Sequence, residues 1–590
     1  MTNHDIAAVF TEVADLLEFQ GANPFRVRAY RNGAKKIGDL SESLAVIAHD
    51  DSRRLTDIDG IGKDLAEKIR TLLDTGSLPM LEELQREIPA GVVVLARVPG
   101  VGPKKAVVLQ RELGINTLAE LRAACEQQRV RVLKGYGAKT EEAILKGLAI
   151  AEEAGARMRW ADAHVIASEL LAHMHMSPAV KQIDMAGSYR RGRETIGDLD
   201  ILVDAADTGA VMDHFGAHPQ VAETIARGDT KMTVRLISGL QVDLRVVPAE
   251  SFGAALQYFT GSKEHNVVVR GRAKQRGLKV NEWGVFRVGD NVDADAEDKG
   301  PRSGEYIAGR TEAEVYAALD LPLFPPEIRE ARREFDWAAA GKLPALITLA
   351  DIRGDLHMHT TATDGQDSIE AMVAAARARG LQYIAITDHS KRVSMARGLD
   401  GDRLRRQWLE VDQVNRQTSD IEVLKGIECD ILEKGGMDLP DDVLAEADWV
   451  IASLHYGQGQ PRAQITERIL AAIENPHVDM IAHPTGRLIN RRDPYDLDMD
   501  QVFAAAKRHG KLLELNANPA RLDLHDVYCA AAKALGIPIV INTDAHSTAG
   551  LDVMQYGILQ ARRGGLTAAD VANTRPWKEF KKLIDRGPQR

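Results

Sequence analysis

The sequence predicts a multidomain chain of three architectures: helical N-terminal domains, an α+β middle, and a C-terminal half of parallel strands with helical crossovers, as in a barrel or open α/β sheet. Three observations predict it. Apolar residues recur at helical spacing through about residue 155, strand-like runs appear between about 198 and 247, and after 350 short apolar runs alternate with Ala-rich stretches. Such alternation reads as parallel strands with helical crossovers. A chain of 590 residues is also too long for one hydrophobic core.

In residues 1–90, Phe10, Val13, Leu16 and Leu17 share one helical face, as do Leu65, Ile69, Leu72 and Leu73. Asn23-Pro24 and Leu78-Pro79 mark breaks. Short helices continue to 155. A helix over 161–174 leads to strands at 198–203, 233–237 and 241–247. Residues 287–310 are polar and Gly-containing and read as a loop or hairpin. Residues 320–350 hold Pro322, Pro325, Pro326 and Pro344, which suits a linker. Strands are expected at 383–387, 449–453, 480–482, 512–515 and 539–542.

The bulk composition, 44% hydrophobic and 27% charged, is that of a soluble globular protein. Cys125, Cys429 and Cys529 are too few and too scattered for a disulfide framework and fit a reducing cytoplasm. Met1–Phe10 carries Asp5 and no apolar core, so no signal peptide is expected, and no apolar run is long enough for a membrane. The net charge of -11 speaks mildly against nucleic acid, but local basic patches decide such binding.

Three segments repeat one device: IDGIGKDLAEKI (58–69), VPGVGPKKAVVL (98–109) and the looser LKGYGAKTEEAI (133–144). Two glycines permit a tight turn and close approach to a ligand. The following helix start offers free N–H groups to a phosphate. Gly60, Gly62 and Lys63, with Gly100, Gly102, Lys104 and Lys105, are therefore expected to grip a DNA backbone without reading its sequence. One copy alone could be an ordinary helix–turn–helix joint; three favour the phosphate reading.

GSYRRGRETIGDLDILV (187–203) is the most informative stretch of the first half. On a strand Asp198 and Asp200 share a face while Leu199, Ile201 and Val203 take the core. Asp243 lies in LQVDLRVV, alternating in the same way. If the two strands are neighbours, three carboxylates converge on a site for two Mg²⁺ or Mn²⁺ ions, which activate a hydroxyl and stabilise a leaving pyrophosphate. Gly187 and Ser188 offer a turn and a hydroxyl to nucleotide phosphates, and Arg191 is the arginine best suited to phosphate.

In the C-terminal half, His357 and His359 alternate on one strand face, Asp364 follows in a turn, and His389, Glu428, His455, His483, Asp544 and His546 each follow a short apolar run. Strand C-termini of a parallel barrel meet at one face, so these nine side chains are expected to gather there. Mixed imidazole and carboxylate donors suit zinc, manganese or iron. Two or three such ions can hydrolyse a phosphate diester.

On these motifs, residues 1–320 resemble a family X DNA polymerase of the polymerase beta type. GSYRRG, GDLD and QVDLR stand in the family's order, followed by YFTGSKEHN (258–266) and VNEWG (280–284). The resemblance implies helix-hairpin-helix (HhH) domains and a nucleotidyltransferase palm, with Asp198, Asp200 and Asp243 as catalytic triad. It implies that Ser188 and Arg191 bind triphosphate, that Tyr258, Phe259 and Gly261 check the sugar, and that Asn266 and Arg270 line the base pair and template. Lys263 stands where the vertebrate enzyme has an aspartate, which suggests tighter nucleotide binding. Gln241 replaces an arginine. Lys68 occupies the position of the family's Schiff-base lysine for deoxyribose-phosphate removal. Its supporting lysines are Arg26 and Met80 here, so an exposed helix lysine is the rival reading.

Residues 350–590 resemble the polymerase-and-histidinol-phosphatase (PHP) family, whose fold is a distorted (β/α) barrel. That implies one metal held by His357, His359, Glu428 and Asp544, a second by Glu428, His455 and His483, and a third by Asp364, His389 and His546, taken from Mn²⁺ and Zn²⁺. The expected domains are 1–90 (5′-phosphate binding), 91–155 (HhH), 156–248 (palm), 249–320 (thumb-like), a linker over 321–350, and 351–590 (PHP). The combined resemblance implies a monomeric, cytoplasmic repair polymerase that acts with dNTPs on gapped or primer–template DNA. Its PHP half would be a 3′–5′ exonuclease that also acts at abasic sites. The rival is a metallophosphatase on a DNA-binding arm with a silent polymerase half.

Overall fold

The computed structural model describes residues 1–585 apart from 21, 41, 51, 59, 89–94, 96–97, 99–100, 156 and 289–301. They form two compact units, Met1–Arg157 and Met158–Arg590.

The first unit is helical. Asn3–Phe19 opens with a capping box in which the Thr2 hydroxyl accepts from the Asp5 amide and the Asp5 carboxylate accepts from Thr2. Both expected breaks turn out to be helix starts: Asn23 caps Pro24–Gly38, and Leu78 precedes Pro79–Glu87, each with proline in the first turn. Phe10, Val13, Leu16, Leu17, Leu65, Ile69 and Leu72 are buried in one core. Gly60 takes φ +85° and Gly62 caps Lys63–Thr75; Gly102, at φ +61°, opens Gly102–Leu113.

The second unit holds two large sheets. The first is five-stranded, in spatial order Val180–Met185, Asp198–Ala205, Gln241–Val247, Lys231–Leu236 and Val221–Arg227. Asp198–Ala205 and Gln241–Val247 run parallel as direct neighbours. Leu199, Ile201, Val203, Val242, Leu244 and Val246 bury one face beneath the helices Trp160–His175 and Thr208–Gly216. Val180–Met185 and Val221–Arg227 carry too few apolar residues to be seen as strands in the sequence. Beside this sheet, Gly284–Arg287 pairs with Leu278–Asn281 and with Glu305–Ala308, so the ends of the expected 287–310 loop form a small sheet.

Segment 321–350, expected as a linker, is not a solvated tether. Phe324, Ile328 and Ile347 are buried, Glu334–Ala339 is helical, and Arg329, Glu330 and Glu334 are buried as well. Its prolines stiffen the chain without preventing it from packing, and its charges are paired, as burial requires.

The second large sheet has seven parallel strands in chain order, from Gly354–Asp355 through Tyr383–Ile386, Glu422–Asp430, Trp449–Ser453, Met480–Ile481 and Leu512–Asn516 to Ile539–Asn542. A bridge between Met358 and Ala545 brings the first and last strands together, so the sheet is a nearly closed barrel. Every strand end that carries an expected ligand opens on one rim.

Candidate active sites

The parallel register sets Asp200 opposite Asp243, with Asp198 two residues earlier on the same face. The three carboxylates therefore converge at one end of the sheet. Asp198 is exposed, Asp200 half-buried and Asp243 buried. Burial, then the charges of Asp198 and Asp243, pushes the Asp200 carboxyl up to about 7. Burial also raises Asp243, but Lys231 at 2.7 Å and the Thr233 hydroxyl at 2.6 Å outweigh it and lower the net value. Gln241 reaches Asp243 only at 3.5 Å. Gly187 is obligatory here: it sits at φ +64°, and a Cβ would fall 2.3 Å from Asp200 Oδ2. Ser188 and Arg190 lie on the short helix it opens. Arg191 Nε donates to Glu330 at 3.2 Å, and its Nη1 donates to the Thr260 carbonyl.

Tyr258 and Phe259 end the helix Phe252–Thr260, with the Arg245 guanidinium 4.4 Å from the Phe259 ring centre. Gly261, at φ +70°, leaves room for Arg191 Nη1, which a Cβ would approach to 3.2 Å. Lys263 and Arg270 are exposed on Lys263–Gln275. Asn266 is not free to read a base in this conformation, because its amide donates to the Tyr258 carbonyl at 2.8 Å and accepts from Gln257 at 2.7 Å. Lys68 is ion-paired with Asp64 and lies beside Tyr30. Burial lowers its pKa, but Asp64 and Tyr30 raise it more, so the amine is held protonated, contrary to what a Schiff-base nucleophile requires. Gly100 and the side chain of Lys104 lie outside the described residues; Lys105 is half-buried on its helix.

All nine C-terminal candidates meet at the barrel rim around Glu428. Its Oε1 lies 3.0 Å from His483 Nε2 and 3.6 Å from His455 Nε2. Its Oε2 lies 2.7 Å from His389 Nδ1, 3.6 Å from His357 Nε2 and 3.7 Å from His359 Nε2. Asp544 Oδ1 stands 3.1 Å from His359 Nε2 and 3.4 Å from His357 Nε2. Asp364 Oδ2 is 3.5 Å from both His389 and His546. Three groups have metal-holding geometry: His359, Asp364, His389 and His546; His357, His359 and Asp544; and His389, Glu428 and His455. His359 and His389 thus each serve two groups, a sharing that spacing alone could not show. Among the described residues, buried His357 Nε2 and His359 Nδ1 have no hydrogen-bond partner, which fits nitrogens placed to hold a cation. The histidine charges hold Glu428 and Asp544 well below the usual carboxylate range, against the opposing effect of burial.

Supporting residues went unrecognised in the sequence. Glu514 accepts from His357 Nδ1 at 2.7 Å and Asp430 holds His455 Nδ1 at 3.0 Å, fixing which nitrogen faces the centre. Both carried a signal: Glu514 is an acid inside the apolar strand Leu512–Asn516, and Asp430 follows Glu428 at the strand period of two.

A palm-like sheet with three convergent carboxylates, joined to a barrel rim of imidazoles and carboxylates, defines a metal-dependent nucleotidyltransferase coupled to a metallophosphoesterase. Family models match along the chain: a helix-hairpin-helix domain over 1–78, a SAM-like helix-hairpin-helix tandem over 92–149, DNA polymerase beta palm over 161–245, DNA polymerase beta thumb over 255–330 and a PHP domain over 355–518. The chain is 41% identical over 588 residues, 99% of its length and 100% of the relative's, to a DNA polymerase/3′-5′ exonuclease PolX of Bacillus subtilis. Probable phosphatases of Thermoanaerobacter (30% identical, 37% of this chain and 89% of theirs) and Edwardsiella ictaluri (31%, 40% and 94%) are also similar over part of it. The chain belongs to the bacterial family X DNA polymerases that carry a C-terminal PHP domain.

Proposed function

We propose that the chain fills short gaps in DNA with its palm and removes 3′-terminal nucleotides with its PHP barrel. The observation that carries this is the register of Asp200 against Asp243 with Asp198 on the same face, in a chain similar end to end to a polymerase and 3′-5′ exonuclease. Asp198, Asp200 and Asp243 would hold Mg²⁺ or Mn²⁺, whose all-oxygen preference they match. The PHP set would hold two or three Mn²⁺ or Zn²⁺ ions, His357, His359, Glu428 and Asp544 holding one, Glu428, His455 and His483 a second, and Asp364, His389 and His546 a third. Bound ions at both sites supply positive charge against phosphate oxygens and lower the pKa of an attacking hydroxyl or water.

The chain's own side chains do the rest. Ser188 and Arg191 hold the triphosphate, Lys263 adds charge toward it, and Tyr258, Phe259 and Gly261 line the sugar. Arg270 and Asn266 meet the template side once nucleotide binding frees the Asn266 amide. Gly60, Gly62, Lys63, Gly100, Gly102, Lys104 and Lys105 grip the DNA backbone. Lys231 and Thr233 fix the Asp243 carboxylate; Glu514 and Asp430 fix His357 and His455. We take the domain limits to be 1–90, 91–155, 156–248, 249–320 and 351–590, with 321–350 as a packed joint. The chain acts as a monomer in the cytoplasm, and its hydrolytic activity extends to abasic sites. No helix among the described residues is long and apolar enough to cross a membrane. Lys68 has no role in this reading. The test is a single-nucleotide gap incubated with dNTPs and Mn²⁺: steady incorporation of the templated nucleotide is expected, and hydrolysis without incorporation would return the silent-polymerase alternative.

A further inference from the structure

The turn that carries Arg191 is held from the PHP side. Arg563, at the end of the helix Met554–Arg563, is buried and donates from Nη1 to the Arg191 carbonyl at 2.7 Å and to Glu330 Oε1 at 3.1 Å. The same Glu330 oxygen accepts from Arg191 Nε. Arg563 Nη2 donates to Asp526 at 2.8 Å, which also receives Arg332 at 3.0 Å, while Arg193 stands 4.0 Å from Glu330. Four guanidinium groups thus converge on two carboxylates. Three residues on, Glu194 makes a two-pronged pair with Arg487 at 2.8 and 3.2 Å, in the loop that follows His483. Between them Gly192, at φ +64°, packs so closely on Leu559 that a Cβ would lie 2.5 Å from its Cδ1.

We propose that Arg563 of the PHP domain is a positioning residue for the polymerase reaction: it shares Glu330 with Arg191 and holds the Arg191 carbonyl, so that the Arg191 guanidinium keeps its orientation and is not wholly engaged by Glu330 when the triphosphate arrives. This rests on the reading of Arg191 as a triphosphate ligand. Without the Arg563 guanidinium, Glu330 engages Arg191 more fully, with Arg193 only at 4.0 Å, and the Arg191 carbonyl loses its donor. Nucleotide affinity in the palm therefore depends on the C-terminal domain, although no PHP side chain needs to touch the nucleotide.

The test is single-nucleotide incorporation by the full chain on gapped DNA, with dNTP KM and kcat measured separately. Arg563→Gln should raise KM about tenfold with kcat within about twofold, the pattern of lost ground-state binding. Arg563→Lys, which restores the charge, should recover most of the loss. Metal content and hydrolysis of single-stranded 3′ ends without dNTPs should stay at the wild-type level in both. Leu559→Ala, which loosens the turn without unpairing a charge, should raise KM to a smaller degree, and it decides the matter if Arg563→Gln does not fold. An unchanged KM in a folded variant would overturn the inference. So would KM, kcat and hydrolysis failing together, which marks a merely structural residue. A wild-type protein that extends no primer would instead overturn the polymerase reading itself.

Discussion

The two candidate centres solve the same electrostatic problem in opposite ways. In the palm, three carboxylates stand at the end of a sheet, graded from exposed Asp198 to buried Asp243, and Asp243 is already satisfied by Lys231 and Thr233. In the barrel, His357, His359 and Glu428 are buried, and His357 Nε2 and His359 Nδ1 have no hydrogen-bond partner among the described residues. An open all-oxygen site suits ions that arrive and leave with a nucleotide; a more deeply buried set of imidazoles with its own supporting carboxylates suits resident ions. The contrast teaches that the barrel is built around its metals, whereas the palm is built to receive them.

The largest expected effects separate the centres outright. Asp198→Ala with Asp200→Ala should lower primer extension by about a thousandfold or more and spare hydrolysis, while His357→Ala should do the reverse. Assays with and without dNTPs measure both, and loss of both activities in either folded variant would break the comparison. Glu514→Gln comes next. It leaves the ligands in place but removes the charge that holds His357, so Mn²⁺ affinity, followed by metal content after dialysis, should fall by about ten- to a hundredfold. Gly187→Ala should cost extension about tenfold or more, because its Cβ meets Asp200 and its φ is strained, with hydrolysis unchanged. The smallest effect is pH-dependent. The Asp200 carboxyl, held up to about 7, must release its proton before a cation binds. Mg²⁺ affinity at the palm should therefore be level above pH 7 and fall by up to about tenfold per unit below it, as titration calorimetry can follow.

Much of this was legible because strand geometry is short-range. A period of two placed Asp198 with Asp200 and His357 with His359, and the rule that parallel strands end at one rim gathered seven further ligands from six separated segments. What stayed illegible depends on pairings between distant residues. Asp64 lies one helical turn from Lys68, but nothing in the sequence announced that Tyr30, from another helix, would stand beside the same amine. Prolines in 321–350 marked a boundary but not that Arg329, Glu330 and Glu334 would be buried there. Nothing in the local pattern around Arg563 or Arg487 shows that the fold sets them against Arg191 and Glu194.

The central claim is that acidic and imidazole groups form two distinct ion pockets in one chain. Crystals soaked in Mn²⁺ and measured for anomalous scattering test it directly. The account expects two separated sets of peaks, one among Asp198, Asp200 and Asp243 and one around Glu428. Peaks at only one of these places, or ions held elsewhere with Asp243 turned from its partners, would contradict it.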